Sequence, residues 1–129
     1  MFTIAQIKEA HSKVKSGADF PKYIQEIKGF GVQSFVTFVN DSHTEYFGEN
    51  DFSTSSNPKY DDLEISEITD SEMFKTQLKA HQQGKTDYFT FCKDCAETGI
   101  EKWIVDLNKM TCIYYDKSGN EILVEEIPS

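Results

Sequence analysis

Apolar positions along the chain switch twice from a helical spacing to a strand-like one. Ile4, Ile7, His11 and Val14 recur on one helical face. Thr3 and Gln6 form a capping-box pattern before them, with Phe2 and Ile7 placed as a hydrophobic staple. A helix over residues 4–15 is predicted, ended by Ser16-Gly17. Asp19 as N-cap and Pro21 in the first turn open a second helix, with Phe20, Tyr23, Ile24 and Ile27 on its apolar face. Gly29-Phe30-Gly31 breaks it. Residues 32–39 and 43–47 then read as strands about an Asn40-Asp41-Ser42 turn, and the weak alternation of 60–65 predicts a third, with Leu63 and Ile65 inward. The cycle restarts with a Thr69/Glu72 capping pattern and a helix carrying Met73, Phe74, Leu78 and His81, closed by Gly84. Asp87 caps a fourth helix with Tyr88, Phe91, Cys92 and Cys95 at helical spacing. Three apolar runs at 100–107, 110–115 and 122–127 follow, separated by Asn108-Lys109 and by residues 116–120. Asn and Gly tolerate the left-handed backbone of tight hairpins, so these runs predict an antiparallel meander.

The two cycles can be superposed in sequence. A shift of 68 positions carries Asp19 onto Asp87, Phe20 onto Tyr88, Ile24 onto Cys92 and Ile27 onto Cys95. It also carries Gly31 onto Gly99, Phe35 onto Trp103, Val36 onto Ile104 and Tyr46 onto Tyr114. The expected fold is α+β and two-layered, with helices on an antiparallel sheet and an approximate ααβββ duplication, halves 1–66 and 67–129 making a single domain. Residues 48–58 then read as an insertion opposite the short 116–120 turn. The strands are apolar on both parities, Phe35 and Trp103 on one and Val36 and Ile104 on the other. A half-covered antiparallel sheet needs only one apolar face, so the second face is expected to be covered by the other half or by a partner subunit.

At 129 residues the chain can bury one substantial core, and ten Phe among 17 aromatic residues supply large side chains for it. The net charge of −9, with 13 scattered basic residues, argues against nucleic acid and anionic membranes as partners. No run approaches about 20 apolar residues, and the N-terminus lacks a basic stretch followed by an apolar one. With three cysteines, an odd number, this points to free thiols and a cytoplasmic location.

Cys92-Lys-Asp-Cys95 is the sharpest chemical signal. A Cys-x-x-Cys pair at a helix start can be redox-active, and with Cys112 and His81 it could hold zinc. The duplication offers a simpler account, since Cys92 and Cys95 occupy the positions of Ile24 and Ile27, and buried Cys acts as a small hydrophobe. His11 and His81 fall on apolar helix faces, where a hydrogen-bonded core role is expected, and His43 opens a strand in solvent. No nucleophile–base–acid set follows from the spacing, Gly29-Phe30-Gly31 runs from helix to strand rather than the reverse, and the acids between 61 and 72 lack calcium-loop spacing. Asp106 breaks the strand pattern where the first half has Phe38. It either serves the Asn108 turn or anchors a ligand beside Trp103 and Tyr114. Function in a duplicated fold is expected where the halves differ, so the candidate binding residues are Trp103, Asp106 and Tyr114, roofed by Phe52.

The run Tyr88-Phe-Thr-Phe-Cys92, continuing through Ala96-Glu-Thr-Gly-Ile100-Glu-Lys-Trp103-Ile-Val-Asp106, with Cys112-Ile-Tyr-Tyr-Asp116, Gly119-Asn and Glu126-Ile-Pro128, resembles the YbcV-like proteins. That bacterial and prophage family is of unknown function and is sometimes labelled phage envelope protein. The resemblance implies no activity or ligand, and the chain shows neither membrane segment nor amphipathic anchor to suit an envelope role. The expected function is a non-catalytic binding or interaction module without cofactor or metal. Its expected partner is a small ligand or a protein, a second copy included. The alternative is a metal- or thiol-dependent protein using Cys92, Cys95, Cys112 and His81.

Overall fold

The computed structural model describes residues 2–14 and 19–128. Its order is α1 (Ile4–His11), α2 (Phe20–Gly29), β1 (Ser34–Phe38), β2 (Thr44–Phe47), β3 (Ser53–Ser55), α3 (Ser71–Gln82), α4 (Tyr88–Glu97), β4 (Ile100–Asp106), β5 (Thr111–Asp116) and β6 (Glu121–Glu126). The ααβββ unit occurs twice. Thr3 and Gln6 close the capping box of α1, and Asp87 caps α4 by accepting from Thr90 N. At α3 the cap is Asp70, which accepts from Met73 N, rather than Thr69, whose hydroxyl instead donates to Asp116. α1 stops at His11, short of the expected residue 15, and the Ser16-Gly17 terminator lies outside the described residues.

The six strands form one antiparallel sheet in the order β3-β2-β1-β4-β5-β6. Its registers repeat with the sequence. The 68-residue shift carries the Phe35–Tyr46 pair onto Trp103–Tyr114, and Phe47–Ser53 onto Tyr115–Glu121. Where the halves meet, Val36 pairs with Ile104, its own counterpart, so a pseudo-twofold axis passes through that pair. Val39 N donates to Glu101 O and Leu107 N donates to Gln33 O, two bonds related by the same axis. Ser42 and Met110 are likewise equivalent, each left-handed in the turn after its strand.

Two expectations are corrected. The third strand of the first half is Ser53–Ser55, not residues 60–65, which are irregular. Residues 48–58 therefore hold a hairpin turn and a strand that match the second half, and are no insertion.

The helices bury one parity of the sheet. Phe74 packs on Tyr114 and Phe91 on Trp103, while Ile24, Ile27, Cys92 and Cys95 are wholly buried. The other parity, Val36, Ile104 and Ile113, is only partly shielded, and Val124 is 52% exposed. The second half of the chain lies beside the first in the same sheet and does not cross its open face, so the expectation that the other half covers it is overturned.

Candidate functional site

Trp103 and Tyr114 come together as expected. Opposite one another on β4 and β5, their rings lie 6.0 Å apart on the helix side, 9% and 7% exposed. Asp106 is not with them. Three positions from Trp103, it falls on the other face of the strand, and its carboxylate accepts from Asn108 N and Lys109 N at 2.9 and 3.0 Å. Phe52 packs edge-on against Phe2 at 4.9 Å, near the β2 end of the sheet, and has no ring contact with Trp103.

The thiol set forms no ligand group among the described residues. Cys92 and Cys95 face the core from α4 and Cys112 from β5, all free and buried. Burial pushes all three thiols up, Cys112 to about 12, which disfavours the thiolate needed for redox or metal work. The His81 ring stacks on Phe91 at 4.5 Å, with Nδ1 against Thr86. Among the described residues no three His, Cys, Asp or Glu side chains are grouped to hold a metal. His43, expected in solvent, is half-buried. Its ring stacks on Phe38 at 4.6 Å, Nδ1 lies 2.6 Å from Asp41, and Nε2 lies 3.6 Å from Glu45.

The concave surface lies elsewhere, where the segment after β3 crosses the start of α4. It is a shallow depression, largely open to solvent, spanning about 570 Å³ and lined by Lys59, Tyr60, Asp87, Tyr88 and Phe89. The segment is pinned by Lys59 N donating to Asp41 O, Leu63 N donating to Asn40 O, and the Tyr60 hydroxyl donating to Val39 O. The Tyr88 hydroxyl bonds to Ser42 at 2.6 Å, tying the second half's α4 to the first half's hairpin turn. Both hydroxyls are thereby engaged in the protein, and ring surface is what remains for the concavity. Phe89 meets Tyr60 edge-on at 5.1 Å, and the Tyr88 ring lies 6.5 Å from Trp103, the one tryptophan of the chain.

Lys59 is the charged wall. Its ammonium sits 5.7 Å from the centre of the Tyr88 ring, and among the described residues it has no ion-pair partner. Burial lowers its pKa, and Lys8 nearby lowers it further against an opposing influence of Cys92. Burial lowers that of His11 as well, with Lys59 adding to the effect. In an acidic protein this is a lysine bounded by rings, with Asp87 also in the lining. No spacing rule links residues 59–60 to 87–89, so the sequence reading missed it. The available signal was the aromatic pair Tyr88-Phe89 at a helix start, where only one of two adjacent rings can face the core.

Fold and site define a duplicated α+β protein, helices on one face of a six-stranded sheet, with a ring-lined hollow where the halves cross. The family model described as "Protein of unknown function (DUF1398)" matches residues 8–126, and the chain belongs to that family. No curated protein matches it. No helix among the described residues is long and apolar enough to cross a membrane.

Proposed function

We propose that the protein is a non-catalytic binding module whose concavity takes a small amphipathic anion, an aromatic or branched apolar body bearing a carboxylate. The observation that carries this reading is Lys59, without an ion-pair partner among the described residues and lining one depression with the rings of Tyr60, Tyr88 and Phe89 and with Asp87. Its lining is mostly apolar with a few polar groups, the composition of small-ligand sites. An apolar body gains by covering ring surface, while the carboxylate meets the Lys59 ammonium. A cationic ligand would meet Lys59 directly. We further propose that the chain stands near the YbcV-like proteins, on the likeness of residues 88–106, 112–116, 119–120 and 126–128, a reading that names no ligand.

Trp103, beneath Tyr88, provides the readout. Titration with phenylacetate should shift tryptophan emission and the amide resonances of residues 59–60 and 87–89, whereas benzylamine should leave them unmoved. Lys59→Met should weaken phenylacetate binding about tenfold or more, the scale of losing one charge-assisted bond. Equal responses to both probes, or none at millimolar phenylacetate, would sink the reading.

A further inference from the structure

His43 stands just before β2 with each ring nitrogen near a different carboxylate. Nδ1 lies 2.6 Å from Asp41 Oδ1, and the same oxygen accepts from His43 N at 2.9 Å. An ionised carboxylate can only accept, so Nδ1 carries the proton and Nε2 of the neutral ring keeps a lone pair. Nε2 in turn lies 3.6 Å from Glu45 Oε2, a second acceptor. That separation exceeds the range of about 2.7–3.2 Å for an N–H···O bond, so no hydrogen bond joins the two atoms. Two acceptors this close repel unless a cation joins them. The ring is held in place by stacking on Phe38, with centroids 4.6 Å apart and planes within 11°.

We infer that His43 Nε2 and the Glu45 carboxylate bind a divalent transition-metal ion of the zinc type, with Asp41 orienting the ring from its far side. Two ligand atoms each about 2.1 Å from a tetrahedral ion lie about 3.4 Å apart, close to the spacing of this pair. A ligating histidine that donates its other N–H to a carboxylate is the arrangement by which metal sites fix the tautomer and raise ligand basicity. Imidazole with a carboxylate suits zinc, nickel or copper, whereas calcium and magnesium take oxygen ligands. Asp41 is turned to the other ring nitrogen and does not ligate, which leaves two protein ligands and agrees with the lack of a three-residue group among the described residues. Water completes the coordination, and the His43 and Glu45 side chains, 28% and 44% exposed, leave it room. The 68-residue shift carries Asp41, His43 and Glu45 onto Lys109, Thr111 and Ile113, a set with no histidine or carboxylate. The site therefore falls where the halves diverge and owes nothing to the shared core.

Zinc chloride titrated into the untagged full chain, followed by calorimetry and by NMR of the histidine rings, tests this. Wild type should take one Zn²⁺ per chain at submillimolar concentration, moving the His43 ring signals and leaving those of His11 and His81 in place. Magnesium should move none of them. His43→Gln and Glu45→Gln should each weaken binding at least tenfold. Asp41→Asn, whose amide oxygen can still accept from His43 N, should weaken it about 10–100-fold. Circular dichroism checks the fold of each variant, and Glu45→Gln, at the most exposed of the three side chains, carries the test if the turn variants unfold. Absence of zinc binding up to millimolar concentration overturns the proposal. So does binding that Glu45→Gln leaves intact, the mark of a lone surface histidine, or a response centred on His11 or His81.

Discussion

The starts of α2 and α4 are the same place in two halves of one design, yet they are finished differently. At α2 the cleft is about 50 Å³, lined by Ala10, Lys13, Val14, Asp19, Lys22, Tyr23 and Glu26, and its Lys13 is paired with Glu26 at 3.2 Å. At α4 the depression is open and spans about 570 Å³, it is lined by three rings with Lys59 and Asp87, and the lysine has no ion-pair partner among the described residues. The difference arises because residues 59–60 cross α4, whereas the counterpart of Lys59 is Ile127, buried in the core with its N–H on Met110 O. A repeated core supplies the frame. The segment that departs from the repeat supplies the candidate site.

The comparison can be broken most forcefully in the core. Ile27→Ala should cost about 2–5 kcal/mol in urea unfolding, the usual range for emptying an aliphatic site. Cys95→Ala at the equivalent position removes one heavy atom and should cost about 1 kcal/mol. Equal losses would mean that the halves are not packed alike.

The paired glycines come next. Gly31 and Gly99 are both left-handed, so alanine at either carries a backbone penalty of about 1 kcal/mol. At Gly99 an added methyl would also lie 2.8 Å from Ile68 O and 2.9 Å from Thr69 Cα, whereas at Gly31 it meets only Phe2 Cδ2 at 3.9 Å. Thermal unfolding should therefore place Gly99→Ala a further 1–3 kcal/mol or so below Gly31→Ala. Similar melting points would contradict the close approach.

Alkali should distinguish the halves as well. Where the second half has Cys112 the first has Thr44, which does not titrate. The Cys112 thiol is raised in the fold from 9.0 to about 12, so its contribution is complete below pH 9 and is lost as pH rises toward 12. Stability should fall by about 1.4 kcal/mol per pH unit from this thiol in that interval. Cys112→Thr, borrowing the first half's residue, should flatten that part of the pH profile measured by urea unfolding. The smallest effect is expected at Asp106→Ala, about 1 kcal/mol for the turn bonds lost, with Trp103 emission unchanged. A changed emission would return Asp106 to the neighbourhood of Trp103.

Much of this was legible in the sequence, for identifiable reasons. The duplication, the helix faces and the burial of Cys92 and Cys95 follow from side-chain periodicity, which the core enforces. β3 was not legible, because Ser53-Thr54-Ser55 is an edge strand specified by its pairing with β2 rather than by its own apolar pattern. Residues 60–65 imitate a strand because Tyr60, Leu63 and Ile65 dock singly on the core while the chain crosses from sheet to α4. The separation of Asp106 from Trp103 was readable from strand parity alone. The Lys59 hollow was not, since tertiary crossing rather than local pattern makes it.

The central β1–β4 ladder has a consequence for how the chain folds. Its partners Val36 and Ile104 lie 68 positions apart, whereas every other strand pair is joined by a short hairpin. Each hairpin can close early at small entropic cost, but the ladder that joins the two meanders must wait for a long loop to close. Until it does, β1 and β4 each present an unpaired edge able to take a strand from another molecule. The seam that makes one sheet of two repeats is therefore also the step at which nascent chains are most open to exchanging halves with one another.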